Sequence, residues 1–232
     1  MAAIDDLLND IFDGYRPGFY PEFEAWVRGS RRYRAFATDY RTKIRAKLKN
    51  ARSEAGRVQD LRAELETAAL LLRDERFTLE YEKYAALKQR GPDFTVTFRT
   101  HTPFNVEVRR IRSTELDGGS AEARTTKLTA VLCDKVGQMP PSIVNLLWLV
   151  AEDAISEADL NEAGVTLRQL AERKTEEFFT RRGFASAAAF LKQYQHLSGI
   201  VLRQPGEIVI WLNALARHKT PPEIVNAIRR LA

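Results

Sequence analysis

The segment IVNLLWLVA (143–151) constrains the fold more than any other part of the chain, because it is apolar almost without interruption. A strand with one face in water alternates apolar and polar side chains, whereas an unbroken apolar run of this length indicates a strand buried on both faces. Such strands lie inside sheets that carry helices on both sides. The segment therefore predicts an α/β fold.

Other hydrophobic patterns extend this sheet and surround it with helices. Alternating apolar residues predict further strands at 76–82, 93–98, 104–111, 199–203 and 207–212. Helical spacing predicts helices at 120–138, from about Thr166 to Arg182, at 186–196 and from about Pro222. The early strands are close enough in sequence to be antiparallel neighbours, and the later ones are separated by helices, which permits parallel crossovers. We expect a mixed β-sheet with flanking helices.

The amino-terminal part, residues 1–56, is predicted to be a helical extension of a main domain at 57–232. Although the whole chain has a net charge of only +5, the segment 28–57 holds eleven basic residues against two acidic ones. Such a segment favours binding to nucleic acid, DNA above all, through the release of counterions from phosphates; a solvated helix face is the alternative. The candidate nucleic-acid contacts are Arg31, Arg32, Arg41, Lys43, Arg45, Lys47, Lys49 and Arg52.

Composition narrows the class of protein. No apolar run approaches the ~20 residues of a membrane span, and the first residues, MAAIDDLLNDIF, are acidic where a secretory signal is basic. Cys133 is the single cysteine, which excludes an intramolecular disulfide and a cysteine-based zinc site. We expect a cytoplasmic protein without a membrane partner.

The hairpin predicted at 93–111 brings two carboxylates together. If Phe98 pairs with Phe104 across the turn, Asp93 lies opposite Arg109 and diagonal to Glu107. Two carboxylates on adjacent strands suit a hard divalent cation such as Mg²⁺, which activates water and stabilises charge on a phosphodiester. A surface salt bridge between Asp93 and Arg109 is the alternative interpretation.

The wider context of this hairpin resembles the core of the PD-(D/E)XK, or restriction-endonuclease-like, superfamily. The helix LRAELETAALLL (61–72) carries two glutamates, GPDF (91–94) precedes one strand, and Glu107-Val108-Arg109 lies on the next. The helix at 120–138 and the strand at 143–151 continue the same αβββαβ order. The resemblance implies a restriction-endonuclease-like core that belongs to a metal-dependent nuclease.

The resemblance also implies roles for individual residues. Asp93 and Glu107 become the acids that bind Mg²⁺ or Mn²⁺, weakly, and a helix glutamate assists them. Glu64 is favoured over Glu66 for this role, because it borders the apolar stripe of the same helix. The motif lysine is replaced by Arg109, which can stabilise phosphate charge but is always protonated and therefore a poor base.

A lysine from the helix at 120–138 is the other candidate for the catalytic position. Lys127 and Lys135 lie on one side of that helix, and members of the superfamily relocate the motif lysine to such a helix. The alternative is that both lysines are solvated.

Three functions are compatible with these residues. The first is a divalent-metal-dependent nuclease that acts on DNA. The second is a catalytically inactive relative that binds nucleic acid or a protein through residues 28–57. The third is a scaffold that forms a homodimer through its amino-terminal helices. The retained acids favour the first function, and the arginine at position 109 favours the second.

Overall fold

The computed structural model describes residues 2–87, 89, 91–112, 120–152 and 154–232, and a six-stranded sheet runs through this part of the chain. The strands lie side by side in chain order as β1 (Phe77–Tyr81), β2 (Phe94–Phe98), β3 (Thr102–Ile111), β4 (Val144–Ala151), β5 (Gly199–Gln204) and β6 (Glu207–Leu212). Neighbouring strands are antiparallel from β1 to β3, parallel from β3 to β5, and antiparallel again between β5 and β6. The predicted mixed sheet is confirmed.

Helices pack against this sheet. The described part of the chain contains α1 (Ala2–Phe12), α2 (Tyr20–Gly29), α3 (Arg31–Asp39), α4 (Arg41–Ala51), α5 (Ala55–Leu71), α6 (Ala121–Val136), α7 (Glu157–Glu172), α8 (Glu176–Thr180), α9 (Ala187–Tyr194) and α10 (Pro222–Arg229). A short 3₁₀ helix, Lys83–Leu87, follows β1. Among the described residues, no helix is both long enough and apolar enough to cross a membrane.

The alternation of side chains along the central strands separates the helices into two layers. In β4, Leu146 and Trp148 belong to a hydrophobic cluster that includes residues of α1–α5 and α10. Leu147 and Leu149 belong to a second cluster with residues of α6–α9. The prediction that 143–151 is a strand buried on both faces is therefore confirmed.

The predicted helix from Thr166 to Arg182 is wrong. α7 begins earlier, at Glu157, where Ser156 and Asp159 form a capping box that satisfies the free N–H groups of the first turn. It ends at Glu172, because Lys174 adopts a left-handed conformation with a φ of 54°. The short α8 follows as a separate helix.

The amino-terminal helices pack directly on the first two strands. The side chains of α1 to α4 share one hydrophobic cluster with β1 and β2. The ring of Phe36 lies with its centroid 5.8 Å from that of Tyr81 and 6.4 Å from that of Phe94. The division into an extension at 1–56 and a domain at 57–232 stays a prediction, and these contacts mean that the two parts share a core.

Arg32 ties the amino-terminal helices to the start of the sheet. Its Nη1 donates to the carbonyl oxygens of Leu72 and Asp74, both at 2.7 Å, and its Nη2 donates to the carbonyl oxygen of Phe77. The carbonyl groups of Leu72 and Asp74 follow the end of α5, where no further helical N–H groups are available to donate to them. This arginine therefore stabilises the passage from α5 to β1, while its neighbour Arg31 is exposed.

We expect Arg32→Ala to lower the free energy of unfolding by about 1–3 kcal/mol, because three partly buried carbonyl groups lose a charged donor. Arg31→Ala is the matched control and should change it by no more than about 0.5 kcal/mol. Urea denaturation of both variants measures the difference. Equal effects would contradict the structural role of Arg32.

Candidate active site

The turn between β2 and β3 decides where Asp93 lies. Phe98 pairs with Thr102 and Phe94 with Val106, so the predicted pairing of Phe98 with Phe104 is wrong. The cause is a turn of only three residues, 99–101, in which Arg99 adopts a left-handed φ of 57°. The shift by two residues preserves the face of every side chain.

Asp93 immediately precedes Phe94. Continuing the same register therefore places Asp93 level with Glu107 rather than with Arg109. The Oδ2 atom of Asp93 accepts a hydrogen bond of 2.8 Å from the backbone N–H of Val108. The two carboxylates predicted to bind metal therefore lie close to each other, where the β2–β3 ladder ends.

Glu64 joins these acids from α5. Its Oε2 atom accepts hydrogen bonds from the Tyr81 hydroxyl at 2.6 Å and from the Lys47 Nζ at 2.5 Å. The other helix glutamate, Glu66, instead forms an ion pair of 2.5 Å with Arg203 of β5. Of the two glutamates weighed from the sequence, the structure thus places Glu64 beside Asp93.

Lys135 reaches the acids from the opposite layer. Its Nζ lies 2.5 Å from Oε1 of Glu107, whose side chain is only 6% exposed. Lys127 is exposed and lies two turns away on α6, about 12 Å along the helix axis. Arg109 lies on β3 level with Leu149 of β4 and shares the sheet face of Glu107. The helix lysine beside the acids is therefore Lys135.

Burial and mutual repulsion raise the pKa values of the three acids. Burial raises the pKa of Asp93 to about 7, and the negative charge of Glu107 adds to this effect. Burial also raises the pKa of Glu64 to about 7, with a further contribution from Asp93. The pKa of Glu107 is raised mainly by burial, although Lys135 opposes the shift. The charged forms of these acids are therefore less stable in the folded protein than in water.

Lys47 is the second cation of this cluster. Burial alone would lower its pKa, but the charges of Glu64 and Asp93 outweigh burial and raise it. Its Nζ also lies 2.8 Å from Oε1 of Glu82, the residue that follows β1. Lys43, one turn earlier, donates to the carbonyl oxygen of Tyr81 at 2.8 Å. Both lysines point towards the fold, and their predicted contact with nucleic acid stays a prediction.

The other candidate nucleic-acid contacts lie nearer the surface. Arg41 and Arg45 form ion pairs with Asp10 of α1, at 3.5 and 3.0 Å. These pairs neutralise part of the positive charge that the sequence concentrates at 28–57. Three further candidate nucleic-acid contacts are exposed, namely Arg31, Lys49 and Arg52.

A groove between α4 and α5 leads to Glu64. It encloses a cavity of about 270 Å³, lined by Lys47, Asn50, Ala51, Arg57, Asp60, Leu61 and Glu64. Charged and polar residues contribute to the lining, although most of its exposed surface is apolar. The groove gives a solvent-exposed approach to the acid cluster from the side of the amino-terminal helices.

The contacts of Tyr81, Glu82 and Lys47 in this cluster were not predicted from the sequence. Lys43 and Lys47 follow Tyr40 at steps of three and four residues, which places all three on one side of a helix. This spacing is the signal by which Lys47 could have been assigned to the buried side of α4.

No protein-family model matches the chain, and no curated protein or solved structure matches it at a significant level. The site is therefore interpreted from its own geometry. Within the described ranges, no three Asp, Glu, His or Cys side chains form a group that could hold a metal ion.

The metal-free protein should lose stability as the pH rises from about 4 to about 7. Glu64 and Asp93 have folded-state pKa values of about 7, against ordinary values of 4.5 and 3.8. Over this interval the folded protein retains protons that the unfolded chain releases, so the free energy of unfolding falls with pH. The Asp93→Asn variant lacks this ionisable group, so its slope should be flatter. Its free energy of unfolding at about pH 8 should exceed that of the wild type by at least about 1 kcal/mol.

Urea denaturation between about pH 5 and pH 8 in the presence of a chelator measures this slope. Asp74→Asn is the control of opposite sign, because Arg76 lowers the pKa of Asp74 to about 2 and its contribution is constant over this interval. It should lower stability without changing the slope. A wild-type slope that Asp93→Asn leaves unchanged would contradict the electrostatic account of the acid cluster.

Proposed function

We propose that the protein is a divalent-metal-dependent nuclease that acts on DNA phosphodiesters. The observation that supports this most strongly is the convergence of Glu64, Asp93, Glu107 and Lys135 from four separate elements of the fold. Carboxylates that can hold a cation and a lysine that can stabilise charge are groups that metal-assisted phosphodiester hydrolysis uses. The order of strands and helices around them also agrees with the restriction-endonuclease-like core predicted from the sequence.

Asp93 and Glu107 would hold the cation in this proposal, with Glu64 in an assisting position. Mg²⁺ suits such a site, because it commonly binds through one or two carboxylates and keeps several waters. Burial raises the pKa values of the three acids and disfavours their charged forms, and a divalent cation would stabilise those charged forms. When bound, the cation would activate a water and stabilise charge on the phosphate.

Lys135 would take the part of the motif lysine. Its ammonium group already orients the carboxylate of Glu107. It also places a positive charge beside the position where a phosphate would approach the acids, and so would stabilise the developing negative charge. Arg109, on the same face of the sheet, would contribute charge to the phosphate without acting as a base.

DNA is the proposed partner because exposed residues of the amino-terminal part offer positive charge for a phosphate backbone. Arg31, Lys49 and Arg52 are exposed on the amino-terminal helices, and Arg57 lines the groove that leads to Glu64. Contacts of this kind are independent of sequence and weaken as salt increases. A homodimer through the same helices stays a prediction.

A catalytically inactive nucleic-acid- or protein-binding module is the second candidate. It is favoured by the ion pairs of the acids, since Lys47 already binds Glu64 and Lys135 already binds Glu107. The arginine at position 109 favours it too. In such a protein, the lysines would replace the metal as permanent counter-ions of the acids.

Mg²⁺ or Mn²⁺ should raise the melting temperature of the wild-type protein, because a ligand that binds only the folded state stabilises it. The double variant Asp93→Asn, Glu107→Gln should remain folded and lose this response. Thermal denaturation with and without the cation measures the effect. An equal response in both proteins would show that the cation binds elsewhere.

Cleavage of plasmid and single-stranded DNA should require Mg²⁺ or Mn²⁺ and Asp93. Lys135→Met should reduce the rate by about a hundredfold, as for the loss of other groups that stabilise charge in a transition state. Lys127→Met is the matched control from the same helix and should retain the wild-type rate. Absence of metal-dependent cleavage in the purified wild-type protein would favour the inactive module.

A further inference from the structure

Lys47 enters the acid cluster from outside the part of the chain that resembles a nuclease core. It belongs to α4, yet its Nζ lies 2.5 Å from Oε2 of Glu64 and 2.8 Å from Oε1 of Glu82. The side chain is 27% exposed, and that of Glu64 is 15% exposed. The ion pair is therefore shielded from water, where electrostatic interactions are stronger than at the surface.

The surrounding contacts hold Lys47 in place. Its Nζ lies 5.0 Å from the centre of the Tyr81 ring, whose hydroxyl donates to the same oxygen of Glu64. Lys43 lies one turn earlier on α4 and donates to the carbonyl oxygens of Tyr81 and Glu82. The N–H group of Glu82 in turn donates to the carbonyl oxygen of Asp93 at 2.7 Å. The contacts of α4 thus reach both Glu64 and the backbone of Asp93.

We propose that Lys47 is an internal counter-ion of the carboxylate site, which competes with the divalent cation and thereby sets the affinity of the site for metal. A cation bound by Asp93 and Glu107 and assisted by Glu64 lies close to the Lys47 ammonium group, and the two positive charges repel each other. Metal binding must therefore overcome the existing ion pair. This inference rests on the proposed function, because it assumes that these acids bind the metal.

The charge of Lys47 and its hydrogen bond can be separated by substitution. Lys47→Gln removes the charge but keeps a donor for Glu64, and Lys47→Met removes both. Lys47→Arg keeps the charge. Lys49→Gln removes a positive charge from the exposed face of the same helix and controls for the net charge of the protein.

Titration calorimetry with Mn²⁺ on the full chain, without DNA, measures the metal affinity directly. We expect Lys47→Gln and Lys47→Met to bind Mn²⁺ about tenfold more tightly than the wild type at low salt, because a nearby positive charge is removed. Lys49→Gln should stay within about twofold of the wild type, because solvent and salt screen an exposed charge. Lys47→Arg should retain the wild-type affinity.

Unchanged or weaker binding by folded Lys47→Gln would overturn the proposal, and so would tighter binding by Lys47→Arg. Circular dichroism checks that each variant is folded, and Lys47→Gln tests the charge even if Lys47→Met unfolds. The double variant Asp93→Asn, Glu107→Gln distinguishes a failure of the metal site from a failure of the role of Lys47. If it binds Mn²⁺ as the wild type does, the proposed metal site itself fails; if it loses binding while Lys47→Gln has no effect, only the role of Lys47 fails.

Discussion

Side chains alternate between the two faces of the sheet along β3 and β4, and both hydrophobic cores depend on this alternation. Because β4 is apolar on both sides, it can lie between the layer of α1–α5 and α10 and the layer of α6–α9. The same alternation directs Glu107 towards Lys135 on α6, while Arg110 of the same strand pairs with Asp60 on α5. The alternation along β3 therefore also directs its charged side chains towards different helix layers.

The acid cluster lies where these layers meet beyond the end of β2. The described ladder between β2 and β3 ends at Phe94 and Val106, and the side chain of Asp93, just before β2, accepts the backbone N–H of Val108 instead. Lys47 reaches the cluster from one layer and Lys135 from the other. Burial disfavours the charged forms of Glu64, Asp93 and Glu107, although both lysines oppose this effect. This cost of burying the acids is the physical reason to consider the site functional.

The sequence predicts the sheet well because β4, β2 and the capped helix α6 carry strong local signals. The run 143–151 indicates a strand on composition alone, and Ser120 caps α6 as its position suggests. The contribution of Lys47 could not be predicted in the same way. Its contacts with Glu64 and Glu82 depend on how α4 packs against β1. The spacing from Tyr40 indicates a side of the helix, but it does not identify the acids with which Lys47 pairs.

The three-residue turn between β2 and β3 has a consequence for how this fold tolerates change. A shift of the β2–β3 pairing by one residue would exchange the two faces of β2 and expose Phe94 and Phe98, so the core opposes it. A shift by two residues would keep every apolar side chain on its face but would separate Asp93 from Glu107. Burial of the apolar side chains therefore does not by itself fix the pairing that brings the two carboxylates together, and the short turn at 99–101 supplies that constraint.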